Sequence, residues 1–579
     1  MPDPTNTELA AALDELGDLY ELDGAIIHRI VAYRNAAKAI REAPTSVLAL
    51  ARENRATELP GVGATIQEKV LAMADEGAIP AAVKLRAKFP PGLVEMTRLP
   101  GLGPKRARRL FDELGIDSLR ALRAAAESQQ IQTLKGFGAK AEEAILASLD
   151  DTDAGKERPR IVLDHALVIA EQLVAALREH PASDNVELAG SARRMTDSVK
   201  DIDVIATASE PLALARAAAE LDLIESAQTP GEAGVRLRTH TGLLVDLRIV
   251  APDQFGNLLQ HLTGSKQHNM ALRDMAVRKG LHVSEYGVLD DSTGETHRCA
   301  TEEQVYALLG LAYIEPELRE NRGELEAAAA GTLPELINLG DLKGDLHAHT
   351  TASDGTASIE EMALAARDAG YEYLAITDHS ASMGFGSDVS PDELRAQIER
   401  IRGVEIEGIE VLAGSEVNVL PDGSLDYDDE LLAELDWMVA SVHTSFRMSA
   451  DAMTERMVRG IEHPLVDVLG HPSGRKIELR RPYEYDLEAV IEAAARSGTM
   501  LEINANPDRR DLNDIQARAA AAAGVPLVIS TDAHRVASFT RVPRFGIATA
   551  RRAWLTKEDV ANTRPWSELQ AMRKRVARA

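Results

Sequence analysis

Three stretches in the first 150 residues share one arrangement: an apolar residue, a two-glycine turn, and then apolar positions at helical spacing. They read LPGVGATIQEKV (59–70), LPGLGPKRARRL (99–110) and LKGFGAKAEEAIL (134–146), and each predicts a helix opening just after its turn. Further on the pattern changes. VELAGSARRMTDSVKDIDVIATA (186–208) reads as a strand, a glycine turn with a helix start, and a second strand from Ile202 to Ala206. LLVDLRIV (243–250) is an apolar strand with one acidic interruption. From about residue 340, short apolar runs alternate with amphipathic stretches such as EEMALAARDAG (360–370), PDELRAQIERI (391–401) and LEAVIEAAARSG (487–498). That alternation predicts parallel strands with crossover helices, closed into a (β/α) barrel.

At roughly 100–200 residues per domain, the 579-residue chain should hold about three to five domains. No apolar run reaches the roughly 18 residues a membrane span needs. The N-terminus lacks a basic head before an apolar stretch, and Cys299 is the single cysteine, so the cytoplasm is the expected compartment. A net charge of −28 argues at first against a polyanionic partner. Its distribution changes that picture, because residues 1–150 hold 19 basic against 21 acidic side chains, and Arg98 to Arg109 hold five basic and none acidic. The excess acid lies beyond Asp151, together with most of the histidines, where bound metal cations would offset it.

Glycine lets a phosphate approach the main chain, and the N-terminus of the following helix offers free N–H groups to an anion. Gly61 and Gly63, then Gly101 and Gly103 followed by Lys105, Arg106 and Arg109, are therefore candidate contacts to phosphate. The third copy, with Lys140 followed by Glu142 and Glu143, is expected to be structural. The three segments resemble helix-hairpin-helix motifs, which position DNA without reading its sequence.

Asp201 and Asp203 lie two apart on one strand, so their side chains share a face at a Cβ spacing of roughly 6–7 Å. Asp246 is a third carboxylate on an apolar strand, costly to bury unless it meets a cation. Such a set suits two metal ions and in-line displacement at phosphorus. The region resembles the nucleotidyltransferase palm of family X DNA polymerases. The resemblance implies that Gly190, Ser191 and Arg194 hold the nucleotide triphosphate, that Thr263, Gly264 and Ser265 form a turn under its sugar, and that Asn269 and Arg273 lie at the nascent base and the template. It extends back to IVAYRNAAKAI (30–40) and the first hairpin, where Lys69 occupies the position of the family's Schiff-base lyase lysine. Met195 and Lys200 stand where the family has glycines, and His261-Leu262 replaces an aromatic pair.

The barrel region supplies His347, His349, Asp354, His379, Glu416, His443, His471, Asp532 and His534, each within a few residues of a short apolar strand. Six of the seven histidines beyond residue 340 belong to this set, His463 being the exception. An HxH pair on an extended segment turns both imidazoles to one side, as zinc or manganese coordination needs. The set resembles the PHP (polymerase and histidinol phosphatase) domain, whose nine ligands bind up to three metal ions in a distorted seven-stranded barrel. That resemblance implies metal-assisted phosphoester hydrolysis. Arg447, Arg475 and Arg509 lie just beyond ligand strands or in neighbouring rim loops, where they are expected to meet substrate phosphates.

The expected architecture is a multidomain α/β chain: a lyase-like helix-hairpin-helix domain (1–80), a fingers-like one (81–160), a nucleotidyltransferase palm (161–250), a thumb (251–312), a linker (313–340) and a distorted (β/α)7 PHP barrel (341–579). The expected function is a monomeric, nucleoid-associated repair polymerase that uses dNTPs at gapped or nicked DNA, with Mg2+ or Mn2+ at the palm. Zn2+ or Mn2+ is expected at a 3′-to-5′ exonuclease in the barrel. Two alternatives are a nuclease with an impaired palm and a non-catalytic DNA-end scaffold.

Overall fold

The computed structural model describes residues 3–97, 99, 102–151, 160–382 and 388–574, so Gly101 lies outside the described residues. The chain divides into two compact units, Met1–Pro159 with Leu167–Glu187 and Lys200–Val250, and Arg160–Ala166 with Leu188–Val199 and Ala251–Ala579. Among the described residues no helix is long and apolar enough to cross a membrane.

The first unit begins with helix Asn6–Leu22, opened by a capping box in which Thr5 and Glu8 satisfy each other's backbone N–H groups. Its Leu9, Leu13, Leu16 and Leu19 form one buried face against Tyr33, Ala36, Ala37 and Ile40 of helix Ile27–Glu42. The expected helices after the glycine turns are Ala64–Glu76, Pro104–Leu114 and Ala139–Asp151. The same unit carries most of a five-stranded sheet in the order Ser183–Leu188, Asp201–Ala208, Leu244–Ile249, Gly234–Thr239, Ile224–Ala227. Strand Asp201–Ala208 runs parallel to Leu244–Ile249, and their register sets Asp203 opposite Asp246. Strand Gly234–Thr239 pairs antiparallel on the other side and sets Arg236 opposite Asp246. Gly234 has φ +124°, and a Cβ there would fall 1.9 Å from the Leu247 carbonyl oxygen, so only glycine admits this pairing.

In the second unit, helices Phe255–Thr263 and Lys266–Val277 pack beside a small antiparallel sheet of Leu281–Ser284, Gly287–Asp290 and Thr296–His297. Residues 313–340, expected as a linker, contribute Ile314, Leu318, Leu325, Ala328 and Leu336 to the hydrophobic core there. The Ala-rich stretch is helical only over Glu324–Ala330, where Leu325 and Ala328 share a face.

The barrel has seven parallel strands in sequence order, Gly344–Ala348, Tyr373–Ile376, Glu410–Asn418, Trp437–Ser441, Val468–Leu469, Met500–Asn504 and Leu527–Ser530. Two backbone hydrogen bonds join its ends, from His349 N to Ala533 O (2.8 Å) and from Ala533 N to His347 O (3.2 Å). Alternate strand residues divide between two cores. Leu374, Ile376, Met438, Ala440, Leu501 and Ile503 meet the surrounding helices. Tyr373, Ala375, Trp437, Val439, Met500 and Val528 pack together with Trp566 and Leu569 and fill the lumen at one end. The ligands sit at the other end, on the C-terminal rim where active sites of such barrels lie.

Candidate metal centre and nucleotidyl-transfer site

All nine expected ligands of the barrel converge. Glu416 is the hub: its carboxylate oxygens lie 2.7 Å from His471 Nε2, 2.9 Å from His379 Nδ1, 3.2 Å from His443 Nε2 and 3.4 Å from His347 Nε2. Asp532 Oδ1 lies 3.1 Å from His349 Nε2, and Asp354 Oδ1 lies 3.2 Å from His534 Nε2. Three overlapping groups have spacings that suit a metal ion: His349 with Asp354, His379 and His534; His347 with His349 and Glu416; and His379 with Glu416 and His443. His471 and Asp532 have φ of 28° and 54°, left-handed conformations that non-glycine residues hold at a cost of about 1–3 kcal/mol each and that concentrate at functional sites.

The donor set fits divalent cations on an observation of its own. His347 Nε2, both ring nitrogens of His349, His379 Nδ1, Glu416 Oε2, His443 Nδ1 and His471 Nδ1 are buried without a hydrogen-bond partner. A buried polar atom in that state is costly, and so many within one cluster of ligands call for an electrophile. Burial pushes His349 down to about 4, with His379 and His534 adding to the effect, and burial with the Arg509 charge pushes His471 down to about 3. These two imidazoles are thus neutral, the form that ligates metal. Against the effect of burial, nearby carboxylates raise His347 (Glu502 and Glu416), His379 (Glu416 and Asp354) and His534 (Asp354 and Asp532), whose protons a bound cation would displace. Burial alone would raise Glu416, yet His443, His347 and His379 hold its carboxyl well below the usual range.

A surrounding shell orients these ligands. His347 Nδ1 is 2.7 Å from Glu502 Oε1, and Glu502 Oε2 accepts the backbone N–H of His471 (2.6 Å). Asn504 donates to Asp532 Oδ2 (3.1 Å). Asp378 accepts from Thr350 N, Thr350 Oγ1 and Gln397 Nε2, which fixes the loop leading to Asp354. Asp345 accepts from the backbone N–H groups of His347 and Thr531, and burial raises its carboxyl to about 6. Reading strand ends for ligands missed this shell, although Met500, Glu502 and Asn504 alternate along one strand and so share its lumen face.

Of the three arginines expected near phosphate, Arg509 is the one beside a ligand, its Nε 3.5 Å from Asp532 Oδ2. Arg447 is exposed. Arg475 is a brace instead: its guanidinium donates to the carbonyls of Arg509 and Arg510 and to Asp197.

In the palm, strand register sets Asp203 opposite Asp246, both half-buried, with Asp201 exposed. Arg236 Nε is 3.6 Å from Asp246 Oδ2. Asp201, Asp246, Ser226, Gln228, Arg236 and Arg238 line a cleft of about 540 Å3. Half-buried carboxylates on neighbouring strands beside an open cleft fit divalent ions.

The nucleotide-binding candidates of the second unit gather at the TGS turn. Arg194 donates to Thr263 O (2.6 Å) and to Glu320 (3.0 Å), so its guanidinium braces the turn rather than standing free for triphosphate. Arg193 donates to Thr263 Oγ1. Ser265 caps helix Lys266–Val277 through His268 N, and Gly264 lies under Arg194. Asn269 donates to His261 O and accepts from Gln260, and Arg273 Nη2 lies 3.1 Å from His261 Nδ1. Gly190, with φ +65°, opens the short helix that carries Ser191. Met195 takes φ +54°, the conformation a glycine would hold without strain.

At the hairpins, Gly63 and Gly103 are N-caps with open space where a Cβ would stand, and Gly61 has φ +83°. The basic run behaves differently from the expectation. Arg106 donates to Gly136 O and lies over Phe137, Arg109 donates to Lys135 O and Glu113, and Arg108 donates to Leu22 O. Arg106 and Arg109 therefore brace the third hairpin, and Lys105 is left exposed beside the turn. Lys69 Nζ sits 5.9 Å from the Tyr33 ring centroid.

The chain matches a helix-hairpin-helix domain over residues 4–79, a SAM-like helix-hairpin-helix tandem over 93–151, the DNA polymerase beta thumb over 258–320 and the PHP domain over 345–506. It is 37% identical to the DNA polymerase/3′-5′ exonuclease PolX of Bacillus subtilis, across 98% of this chain and 99% of that protein. The chain belongs to the family X DNA polymerases that carry a PHP domain. The chain also resembles shorter proteins: a probable phosphatase of Caldanaerobacter subterraneus is 35% identical over 33% of this chain and 75% of its own length. A probable phosphatase of Thermoanaerobacter is 33% identical over 38% of this chain and 89% of its own length.

Proposed function

We propose that this chain is a DNA-directed DNA polymerase with a 3′-to-5′ exonuclease in its barrel, acting as a monomer on gapped or nicked DNA at the bacterial nucleoid. The observation that carries the reading is the presence, in one chain, of two separate acidic constellations of different chemistry. One is the register-matched Asp203 and Asp246 with Asp201; the other is the nine-ligand cluster around Glu416. Identity to PolX across nearly the whole chain supports joining them.

Divalent ions, Mg2+ or Mn2+ at the palm and up to three Zn2+ or Mn2+ at the barrel, would supply Lewis acidity and charge neutralisation when bound. The chain's own residues do the rest. Asp201, Asp203 and Asp246 would hold the palm's ions, which would bring positive charge to a primer 3′-hydroxyl and the α-phosphate of a dNTP, and Arg236 lies 3.6 Å from Asp246. The turn at Gly190 and Ser191 and the Thr263–Ser265 turn, stiffened by Arg193 and Arg194, form the nucleotide cradle, with Asn269 and Arg273 on the helix behind it. In the barrel, Glu502, Asn504 and Asp378 keep the ligands in place, and Arg509 meets the scissile phosphate. The open glycine turns and Lys105 grip the DNA backbone, and Lys69 contacts a 5′ end. Of the two departures that would impair the palm, Met195 keeps a left-handed conformation open to the glycine it replaces, which supports a working turn, and Lys200 is exposed.

The test is primer extension and primer degradation on a gapped duplex with Mg2+ and with Mn2+. Both activities are expected. Degradation without extension would leave a nuclease with a DNA-gripping arm, and neither would leave a scaffold.

A further inference from the structure

The metal cluster is recessed. His347, His349 and Glu416 are fully buried, and only Asp354 and His534 of the nine ligands are appreciably exposed. A phosphodiester can enter such a site only as part of a single strand, because groups paired and stacked in a duplex are held away from a recessed centre. If the barrel is the exonuclease proposed above, a paired 3′ terminus has to be opened before it is cut.

Five residues beyond His471 the chain makes a tight hairpin, Lys476 to Arg480, closed by hydrogen bonds from Lys476 N to Arg480 O (2.9 Å) and from Arg480 N to Lys476 O (2.8 Å). Its base is fixed to the loop that carries Arg509, through Ile477 N and Asp508 O (2.7 Å). The hairpin is stiff. Glu478 at the tip has φ +59° and accepts from Ser198 Oγ, and the Arg480 guanidinium lies 4.5 Å over the Phe446 ring while donating to Gly474 O. At this tip Leu479 is 77% exposed, the most exposed large apolar side chain among the described residues. Lys476, Arg480 and Arg481 flank it, with Arg509 between the hairpin and the metal ligands. Burial and the Arg509 charge push both Lys476 and Arg480 below their ordinary range, so these cations crowd one another and an anion would relieve them.

We infer that this hairpin is a strand-separating wedge: Leu479 inserts beside the terminal base pair of duplex DNA, and the surrounding cations draw the freed 3′ strand by its phosphates toward the metal cluster. An apolar side chain on a rigid support beside cations is the means by which other proteins unstack base steps, and the like-charged rim supplies the sequence-independent attraction that backbone phosphates offer. Leu479 acts here as a positioning residue and takes no part in the chemistry.

Two measurements on the full-length chain test this. The first compares degradation of a single-stranded 3′ end, a paired 3′ end and a 3′ end with mismatched terminal pairs, for the native chain, Leu479→Ser and Leu479→Met. Leu479→Ser should lose about tenfold on the paired end, equivalent to about 1.4 kcal/mol, and keep its rate on the other two. Leu479→Met should behave as the native chain. Equal rates for Leu479→Ser and the native chain on the paired end, or an equal loss on all three substrates, would overturn the wedge. The second measurement does not depend on cleavage: 2-aminopurine in the terminal pair of a phosphorothioate-linked duplex should brighten when the native chain binds and stay dim with Leu479→Ser bound. No brightening with the native chain, or the same brightening with both, overturns the wedge. Brightening without degradation of any substrate upholds the wedge and removes the exonuclease reading.

Discussion

His347 turns its Nδ1 to Glu502 Oε1 at 2.7 Å, while its Nε2 faces Glu416 at 3.4 Å. One ring atom is thereby held by a carboxylate and the other is aimed at the cluster, the arrangement that fixes a ligand's tautomer and raises its basicity. Glu502 also holds the backbone N–H of His471, so one side chain orients two ligands. Glu502→Gln should lower metal affinity by about 10–100-fold, measured as metal retained after dialysis against a graded chelator series. Unchanged retention would make Glu502 a packing residue.

The two acidic constellations predict separable activities. Asp203→Ala should abolish primer extension and leave 3′-to-5′ degradation intact, because it removes a carboxylate from the palm alone. His349→Ala should do the reverse. A loss of roughly a hundredfold or more is expected in each case, at about tenfold per 1.4 kcal/mol of lost transition-state stabilisation. Both variants need equal affinity for the gapped duplex, measured alongside. Loss of degradation in Asp203→Ala at unchanged affinity would mean that one centre serves both reactions.

Most of the nine ligands were legible in the sequence because they follow apolar strands, and His347 and Glu416, which lie within strands Gly344–Ala348 and Glu410–Asn418, were legible through their place in the ordered set of nine. Glu502 belongs to no such set, and its meaning depends on which alternate residues of its strand face the lumen. Arg236 was hidden for a related reason: its place beside Asp246 is set by strand register, which emerges only when Gly234–Thr239 pairs with Leu244–Ile249. Arg106 and Arg109 read as a DNA-facing charge run, since sequence does not show that Gly136 and Phe137 lie within their reach. Residues 313–340 read as a linker because alanine masks the apolar face that Leu325 and Ala328 form.

The division of labour within the second hairpin is testable. Lys105→Ala should flatten the salt dependence of DNA binding, reducing the log–log slope by about 1, with no change in unfolding temperature. Arg109→Ala should lower the unfolding temperature, because it frees the Lys135 carbonyl and Glu113. The same slope change in both, without a stability change in Arg109→Ala, would return Arg109 to the DNA surface.

Glu302 predicts how acid weakens the thumb. Its carboxylate is buried and pairs with Arg319 and, at 2.7 Å, with Arg193. Burial alone would raise its pKa, but the Arg319 charge and the Arg193 hydrogen bond outweigh it and hold the group below the ordinary value of 4.5. A carboxyl whose pKa falls on folding contributes stability that is fully present above its unfolded value and disappears as pH drops through the folded one. Glu302→Gln leaves Arg319 buried beside a neutral partner, so at pH 7 it should destabilise by about 3 kcal/mol. The difference between native and variant should hold down to about pH 5 and then shrink as the native carboxyl takes up its proton. Denaturant unfolding of both chains from pH 7 to pH 3, followed by Trp fluorescence, measures it. A difference that stayed constant into the acid range would place the stability of this buried cluster in its packing rather than in the charge on Glu302.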